Sequence, residues 1–125
     1  SLTTVHANAP RDAVSRLEVM VSLANANMQL LSIRQQIASA VHLLVQASRM
    51  SDGSRRVVSI TEVTGMEGEV VTLQDLFVFE KRGLDPDGKV VGRFAATGIR
   101  PKFYEKLLSA GLRLRPHLFE EVVEV

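Results

Sequence analysis

The sequence predicts an α/β fold built as one structural unit, on three observations. Apolar residues recur at spacings of three and four from residue 10 to 41. From 42 to about 95 they alternate or run in short β-branched stretches divided by turn residues. A helical period then returns over 101–110. The 125 residues, 46% of them hydrophobic, suffice for one domain with a sizeable core, and they exclude a disordered or collagen-like chain.

The opening Ser1-Leu2-Thr3-Thr4-Val5 reads as a buried strand, because it has neither the basic start nor the long apolar run of a secretion signal. A first helix follows, with Val14, Leu17, Val21 and Ala24 as its apolar stripe, Met20 beside them, and Arg11, Asp12, Ser15, Glu18 and Ser22 elsewhere. Asn8 or Ala9 starts it. Pro10 in the first turn sacrifices no needed N–H, and Asp12 suits the positive end of the helix dipole. Asn25-Ala26-Asn27 ends it. The second helix carries Leu30, Ile33, Ile37 and Val41 inward, with Leu31 and Ala38 widening the face and Arg34, Gln35 and Gln36 outside it.

Strand material begins at His42, and Ser51-Asp52-Gly53-Ser54 is a turn. Over 56–63, Val58 and Ile60 point one way and Val57, Ser59, Thr61 and Val63 the other, as in a half-buried strand. Gly65-Met66-Glu67-Gly68 is expected to turn into a strand over 70–81, with Phe77 and Phe79 on one face, Leu76 and Val78 on the other, and an interruption at Gln74-Asp75. Asp85-Pro86-Asp87-Gly88 turns again into 89–95, which completes an antiparallel meander. In the helix over 101–110, Phe103, Leu107 and Ala110 share a side with Tyr104 and Leu108 next to them, and Gly111 caps it. Residues 112–125 add either a last turn or a strand.

Charge and composition narrow the function. Fifteen Lys and Arg against fourteen Asp and Glu leave a net charge of +1, so no bulk attraction draws the chain to nucleic acid or an anionic bilayer. With 5% aromatic residues and no reader module, no nucleic-acid partner is expected. No apolar run approaches the ~20 residues of a membrane span, so a soluble protein is expected. The absence of cysteine removes thiolate chemistry, Cys-based zinc sites and disulfides, and it is compatible with a reducing cytosol.

Two motifs mislead. Gly83-Leu84-Asp85-Pro86-Asp87-Gly88-Lys89 has the spacing of a phosphate-binding loop, but Val90 stands where the Mg²⁺-holding hydroxyl belongs. Two aspartates would repel phosphate, Pro86 removes an N–H donor, and a strand follows where a helix start is needed, so the stretch is a hairpin turn. It also lacks the further oxygen ligands of a calcium loop. His6, His42 and His117 are scattered without metal-ligand spacing, so no metal site is expected, and no nucleophile elbow anchors hydrolase chemistry.

The remaining candidate is the strand-to-helix corner. An apolar strand ending in Val5 delivers the imidazole of His6 and the carboxamide of Asn8 to its C-terminal end, with Arg11 and Arg16 on the helix that follows. Ligands of open α/β folds bind at such strand ends. On the residues alone, a His and an Asn at such a corner are more often a helix cap with its hydrogen-bond partner.

The stretch Thr3-Thr4-Val5-His6-Ala7-Asn8, with Pro10-Arg11-Asp12-Ala13 and Arg16-Leu17-Glu18, resembles the histidine box of the type II and type IV secretion ATPase superfamily. Within it, the match is to the CpaF-like ATPases of tight-adherence (Flp-type) pilus assembly. The similarity continues through Ile33-Arg34-Gln35-Gln36-Ile37-Ala38-Ser39-Ala40, Asp52-Gly53-Ser54-Arg55-Arg56-Val57, Ile60-Thr61-Glu62-Val63, Gly65-Met66-Glu67-Gly68 and Thr72-Leu73-Gln74-Asp75-Leu76-Phe77. It extends to Gly92-Arg93-Phe94 and Thr97-Gly98-Ile99-Arg100-Pro101-Lys102-Phe103, and so covers nearly the whole chain.

The resemblance implies that residues 1–125 are the C-terminal part of a RecA-like P-loop NTPase core, with the phosphate-loop half lying upstream and the first strand belonging to its sheet. It implies a hexameric motor at the cytoplasmic face of the inner membrane that uses ATP and Mg²⁺ to move pilin or another substrate, docked on inner-membrane platform proteins. The part alone is expected to be inactive, to bind neither ATP nor Mg²⁺ tightly, and to self-associate through a sheet edge beside residues 2–5. His6 would take the catalytic sensor position near the γ-phosphate. Asn8, Arg16 and Arg11 would contribute to nucleotide binding, although ion pairs of the arginines with Asp12 and Glu18 are an equal reading. The hairpins with Met66 and the Phe77/Phe79 pair suit packing between subunits or on the platform. Arg93, Arg100, Lys102, Lys106, Arg113 and Arg115 form either a partner-facing patch or a solvated face. The alternative is a non-catalytic protein–protein interaction domain.

Overall fold

Two helices cover one face of an antiparallel sheet, and the C-terminal segment closes part of the other. The computed structural model describes residues 2–115 and 117–124. Ser1, at the head of the expected strand, and Pro116 and Val125, in the expected C-terminal turn or strand, lie outside them. Helix α1 spans Pro10–Ala24 and α2 Leu30–Ala40. The strands are β1 (Leu43–Arg49), β2 (Arg55–Glu67), β3 (Val70–Leu84), β4 (Val90–Ala96) and the three-residue β5 (Val122–Glu124). They lie in chain order, each pairing antiparallel with the next. Helix α3 (Tyr104–Ser109) and a 3₁₀ turn at Leu118–Glu120 complete the chain.

The helix-side core follows from the two apolar stripes. Val14 of α1 and Ile33 and Ile37 of α2 are buried on Val63 of β2 and Val71 of β3, ringed by Leu17, Val21, Met28, Leu44, Met66 and Leu73. Each such buried aliphatic side chain contributes about 1.5–3 kcal/mol through the surface it removes from water. Arg34 of α2 seals the margin. Its Nε donates to Glu18 Oε1 at 2.9 Å, and its Nη1 donates to the Glu69 carbonyl at 3.1 Å.

The reverse face is aromatic and polar. Phe77 stacks on Phe94 with centroids 5.7 Å apart, and Phe119 of the 3₁₀ turn packs against both Phe77 and Tyr104. Arg56 lies over the Phe79 ring. The neighbouring strand needs glycine at Gly92, where a Cβ would fall 2.4 Å from the Glu80 carbonyl and 2.6 Å from the Phe79 ring.

Several expectations need correction. Residues 2–5 form no strand. The segment joins no ladder, Leu2 is fully exposed, and the chain leaves it over the helix side of the sheet, where Gln46 Nε2 donates to the Ala7 carbonyl at 2.9 Å. β-propensity expresses itself only beside a partner strand, and none is in register there. The turn expected over 65–68 sits at Gly68-Glu69. Glu67 pairs with Val70, and Gly68 at φ 61° fits the first position of a two-residue hairpin turn, while Gly65 stays within β2 at a register shift. The interruption in β3 falls between Asp75 and Phe77, opposite Thr61 and Ile60. Helix α3 is shorter than 101–110. The C-terminal stretch supplies both a turn and a strand. Met66 packs against the helix-side core, Phe77 stacks on Phe94 and Phe79 lies beneath Arg56. Among the described residues no helix is long and apolar enough to cross a membrane.

The two hairpin tips at the other end of the sheet are tied together. Asp52 in the β1–β2 turn accepts hydrogen bonds from Ser54 Oγ at 2.5 Å, Ser54 N at 2.9 Å and, across the sheet, Val90 N at 2.7 Å. Arg56 Nη2 donates to the Val90 carbonyl at 2.9 Å. The Ser54 hydroxyl foremost, then the Val90 and Ser54 N–H groups and the Arg56 charge, lower the Asp52 pKa from the ordinary 3.8 to about 2. Because the folded value is depressed, the stabilisation is fully present above the unfolded value and is lost as pH falls from about 4 to about 2. In urea titrations, wild type should exceed Asp52→Asn in stability at about pH 5, and the gap should close by about pH 2. A gap independent of pH would contradict the ionised tie.

Candidate functional site

The corner before α1 is built from local sequence and one distant strand. Ala9 is the N-cap and supplies no side-chain cap, and Pro10 opens the helix. Asp12 takes over the capping work from within the first turn: its Oδ2 accepts the Asn8 backbone N–H at 3.0 Å. Arg16 Nε lies 3.6 Å from the same oxygen, in an i,i+4 pair whose side chains are 56% and 38% exposed and which therefore adds little stability. Gln46 of β1 holds the Ala7 carbonyl from the other side.

The four sequence-selected residues therefore separate. His6 and Asn8 are exposed, and neither side chain has a hydrogen-bond partner among the described residues. Arg16 is engaged with Asp12. Arg11 turns away from the corner, where its Nη1 donates to the Val71 carbonyl at 2.7 Å and binds the start of α1 to β3. Its position is that of a fastener. The corner can offer a ligand one imidazole, one carboxamide and the remaining guanidinium edge of Arg16, all on the solvent side of a fixed helix start.

The stretch 83–89 is a turn with its donors consumed. Asp85 Oδ1 accepts from Asp87 N at 2.9 Å and Lys89 N at 2.8 Å, so these N–H groups point inward and cannot cradle a phosphate. The described residues hold no cluster of three or more His, Cys, Asp or Glu side chains that fits a metal ion. The basic C-terminal residues are also largely committed: Arg93 pairs with Glu80, Arg115 with Glu121, Arg100 covers the Tyr104 ring at 4.6 Å, and Lys102 Nζ reaches the Thr64 carbonyl at 3.4 Å.

Sequence reasoning missed Glu62. This carboxylate, 3% exposed, accepts from Gln74 Nε2 at 2.7 Å, Lys102 N at 3.0 Å and Phe103 N at 3.2 Å. Glu62 and Gln74 face each other across β2 and β3, one position along from Val63 and Leu73, and so point away from the helix layer. The available signal was a charged residue inside Ile60-Thr61-Glu62-Val63, a stretch otherwise suited to burial. Glu62 fixes the chain entering α3 and acts as a structural anchor. No protein-family model matches the chain, and a comparison with curated proteins finds no match.

Proposed function

We propose that the chain is the C-terminal part of a CpaF-like pilus-assembly or secretion ATPase, a hexameric motor that couples ATP hydrolysis to the movement of pilin or another substrate at the inner membrane. What supports this reading is the run of motifs that resemble that family's, from Thr3-Thr4-Val5-His6-Ala7-Asn8 to Ile99-Arg100-Pro101-Lys102-Phe103, in one order along nearly the whole chain. The exposed and unengaged side chains of His6 and Asn8 support it, since a corner that only capped a helix would use them. In this reading His6 donates a hydrogen bond to the γ-phosphate or the attacking water, Asn8 steadies the corner, and Arg16 exchanges Asp12 for phosphate or a neighbouring subunit. Arg11 is the weakest of the four, because Val71 already occupies it.

Mg²⁺ and ATP do not fit this chain by itself. The only phosphate-loop spacing is a closed turn, and the phosphates and metal would be held by the upstream half of the core. The upstream coding sequence tests this directly. A phosphate loop and an acidic strand are expected about 100–150 residues before His6, from the size of a nucleotide-binding domain. A gene without them would end the motor reading. The alternative, a non-catalytic interaction domain, is favoured by one observation: among the described residues the sheet is antiparallel throughout.

A further inference from the structure

The peptide between Ala7 and Asn8 is held at both of its polar groups. Its carbonyl accepts from Gln46 Nε2 of β1 at 2.9 Å, and its N–H donates to Asp12 Oδ2 of α1 at 3.0 Å. The bond is trans, so the two groups point in opposite directions from one plane. Gripped by a strand on one side and a helix on the other, the plane cannot turn without breaking a hydrogen bond, and the Cα atoms of Ala7 and Asn8 are fixed with it. His6 is the next residue back. The imidazole and the carboxamide that the corner presents therefore flank one clamped peptide.

The two grips differ in origin. Asp12 is local, because a helix that opens at Pro10 brings it within reach of residue 8. Gln46 lies 39 residues further along the chain and needs the sheet to bring it there. It follows Leu44 by two positions and so shares the face on which Leu44 joins the helix-side core. A carboxamide is unusual on such a face. Its Nε2 is directed at backbone, to the Ala7 carbonyl and, at 3.5 Å, the Ala47 carbonyl. β1 is a firm base for it, paired with β2 from Leu43 to Arg49. At the other end of the segment Arg11 ties the first turn of α1 to the Val71 carbonyl of β3 at 2.7 Å. Residues 7–11 are thus referenced to two strands of the meander.

We propose that Gln46 is a positioning residue for the nucleotide corner: by holding the Ala7 carbonyl, it sets where the backbone presents the His6 imidazole to the γ-phosphate or the attacking water. The proposal rests on the motor reading above. A donor to developing charge must be placed within about 0.5 Å, and a misplacement of about 1 Å can cost about a hundredfold in rate. A loop fastened to a strand meets that need without touching the nucleotide. Gln46 therefore acts on turnover, through His6, and not on ATP binding.

The test is steady-state ATP hydrolysis by the full-length protein carrying Gln46→Met, which keeps the length and loses the donor, or Gln46→Glu, which sets a carboxylate against the Ala7 carbonyl. Each should lower kcat about tenfold at unchanged KM for ATP. Combined with His6→Ala, Gln46→Met should change the residual turnover by less than about twofold, because a residue that acts through the imidazole then has nothing to act on. Equal fold-losses with and without the imidazole would reveal a general structural effect and overturn the proposal. So would wild-type turnover in both Gln46 variants, or a loss confined to KM. A wild type that hydrolyses no ATP would instead end the motor reading, and this role with it.

Discussion

Glu62→Ala should cost about 3–5 kcal/mol of stability in urea unfolding, because it leaves three donors in a dry site without an acceptor, each worth about 1–3 kcal/mol. These are the Gln74 carboxamide and the Lys102 and Phe103 N–H groups, at 2.7, 3.0 and 3.2 Å from the carboxylate. The sum falls below three full penalties because Lys102 is exposed and its loop can move toward water. Glu62→Gln should lose less, about 1–2 kcal/mol, since one amide oxygen still accepts while the new NH₂ faces a donor. The loss should also be felt at a distance. Releasing 101–103 frees the entry to α3, so Tyr104 no longer holds Phe119 against Phe77. Near-ultraviolet circular dichroism of the aromatic cluster should therefore weaken in the alanine variant even where the helix signal of α1 and α2 persists. A loss below about 1 kcal/mol would mean that water replaces the carboxylate and that Glu62 is no anchor.

The elements legible from sequence were those whose cause is local. Val14 and Leu17, or Ile33 and Ile37, repeat at helical spacing whatever lies opposite, and those stripes became the helix-side core. Asp85-Pro86-Asp87-Gly88 carries its own turn chemistry, with Asp85 bonding N–H groups two and four residues on. What escaped depends on distant partners. Thr3, Thr4 and Val5 have strand propensity, but a strand needs a neighbour to pair with. Gly65 and Gly68 look interchangeable as turn residues, and only the pairing of Glu67 with Val70 decides between them. Glu62 reaches groups 40 and 41 residues away, and Asp52 ties to Val90 38 residues away, separations at which no spacing rule operates.

The candidate site divides in the same way. His6, Asn8 and Arg16 do sit around one corner, because they flank the start of one helix within a few residues of each other along the chain. Arg11, chosen for the same proximity, is drawn off by a carbonyl 60 residues further along the chain. Of the members that organise the corner, Asp12 was legible as a first-turn acid and as the ion-pair partner of Arg16, while its bond to the Asn8 N–H and the reach of Gln46 to the Ala7 carbonyl were not, since each acts on backbone atoms.

The proposed motor role predicts a second large effect. An imidazole that donates to charge developing on the γ-phosphate or the attacking water contributes only in the transition state. Its removal should therefore lower turnover and leave ATP affinity nearly unchanged. Loss of one such donor is worth about a hundredfold or more in kcat. Among the described residues of the corner, Asn8 offers a carboxamide rather than an imidazole, and Arg16 is paired with Asp12. Stability should not change, since the His6 side chain is exposed and makes no hydrogen bond among the described residues.

The decisive measurement is steady-state ATP hydrolysis by the full-length protein as wild type, His6→Ala and His117→Ala, with nucleotide affinity measured alongside. His117 is a suitable control because it lies outside the corner, with its Nδ1 2.9 Å from Glu120 Oε2. Turnover in wild type and His117→Ala, with about a hundredfold loss in His6→Ala at similar ATP affinity, is the predicted result. Equal turnover in all three would remove His6 from the chemistry, and no hydrolysis by the wild type would contradict the motor assignment itself.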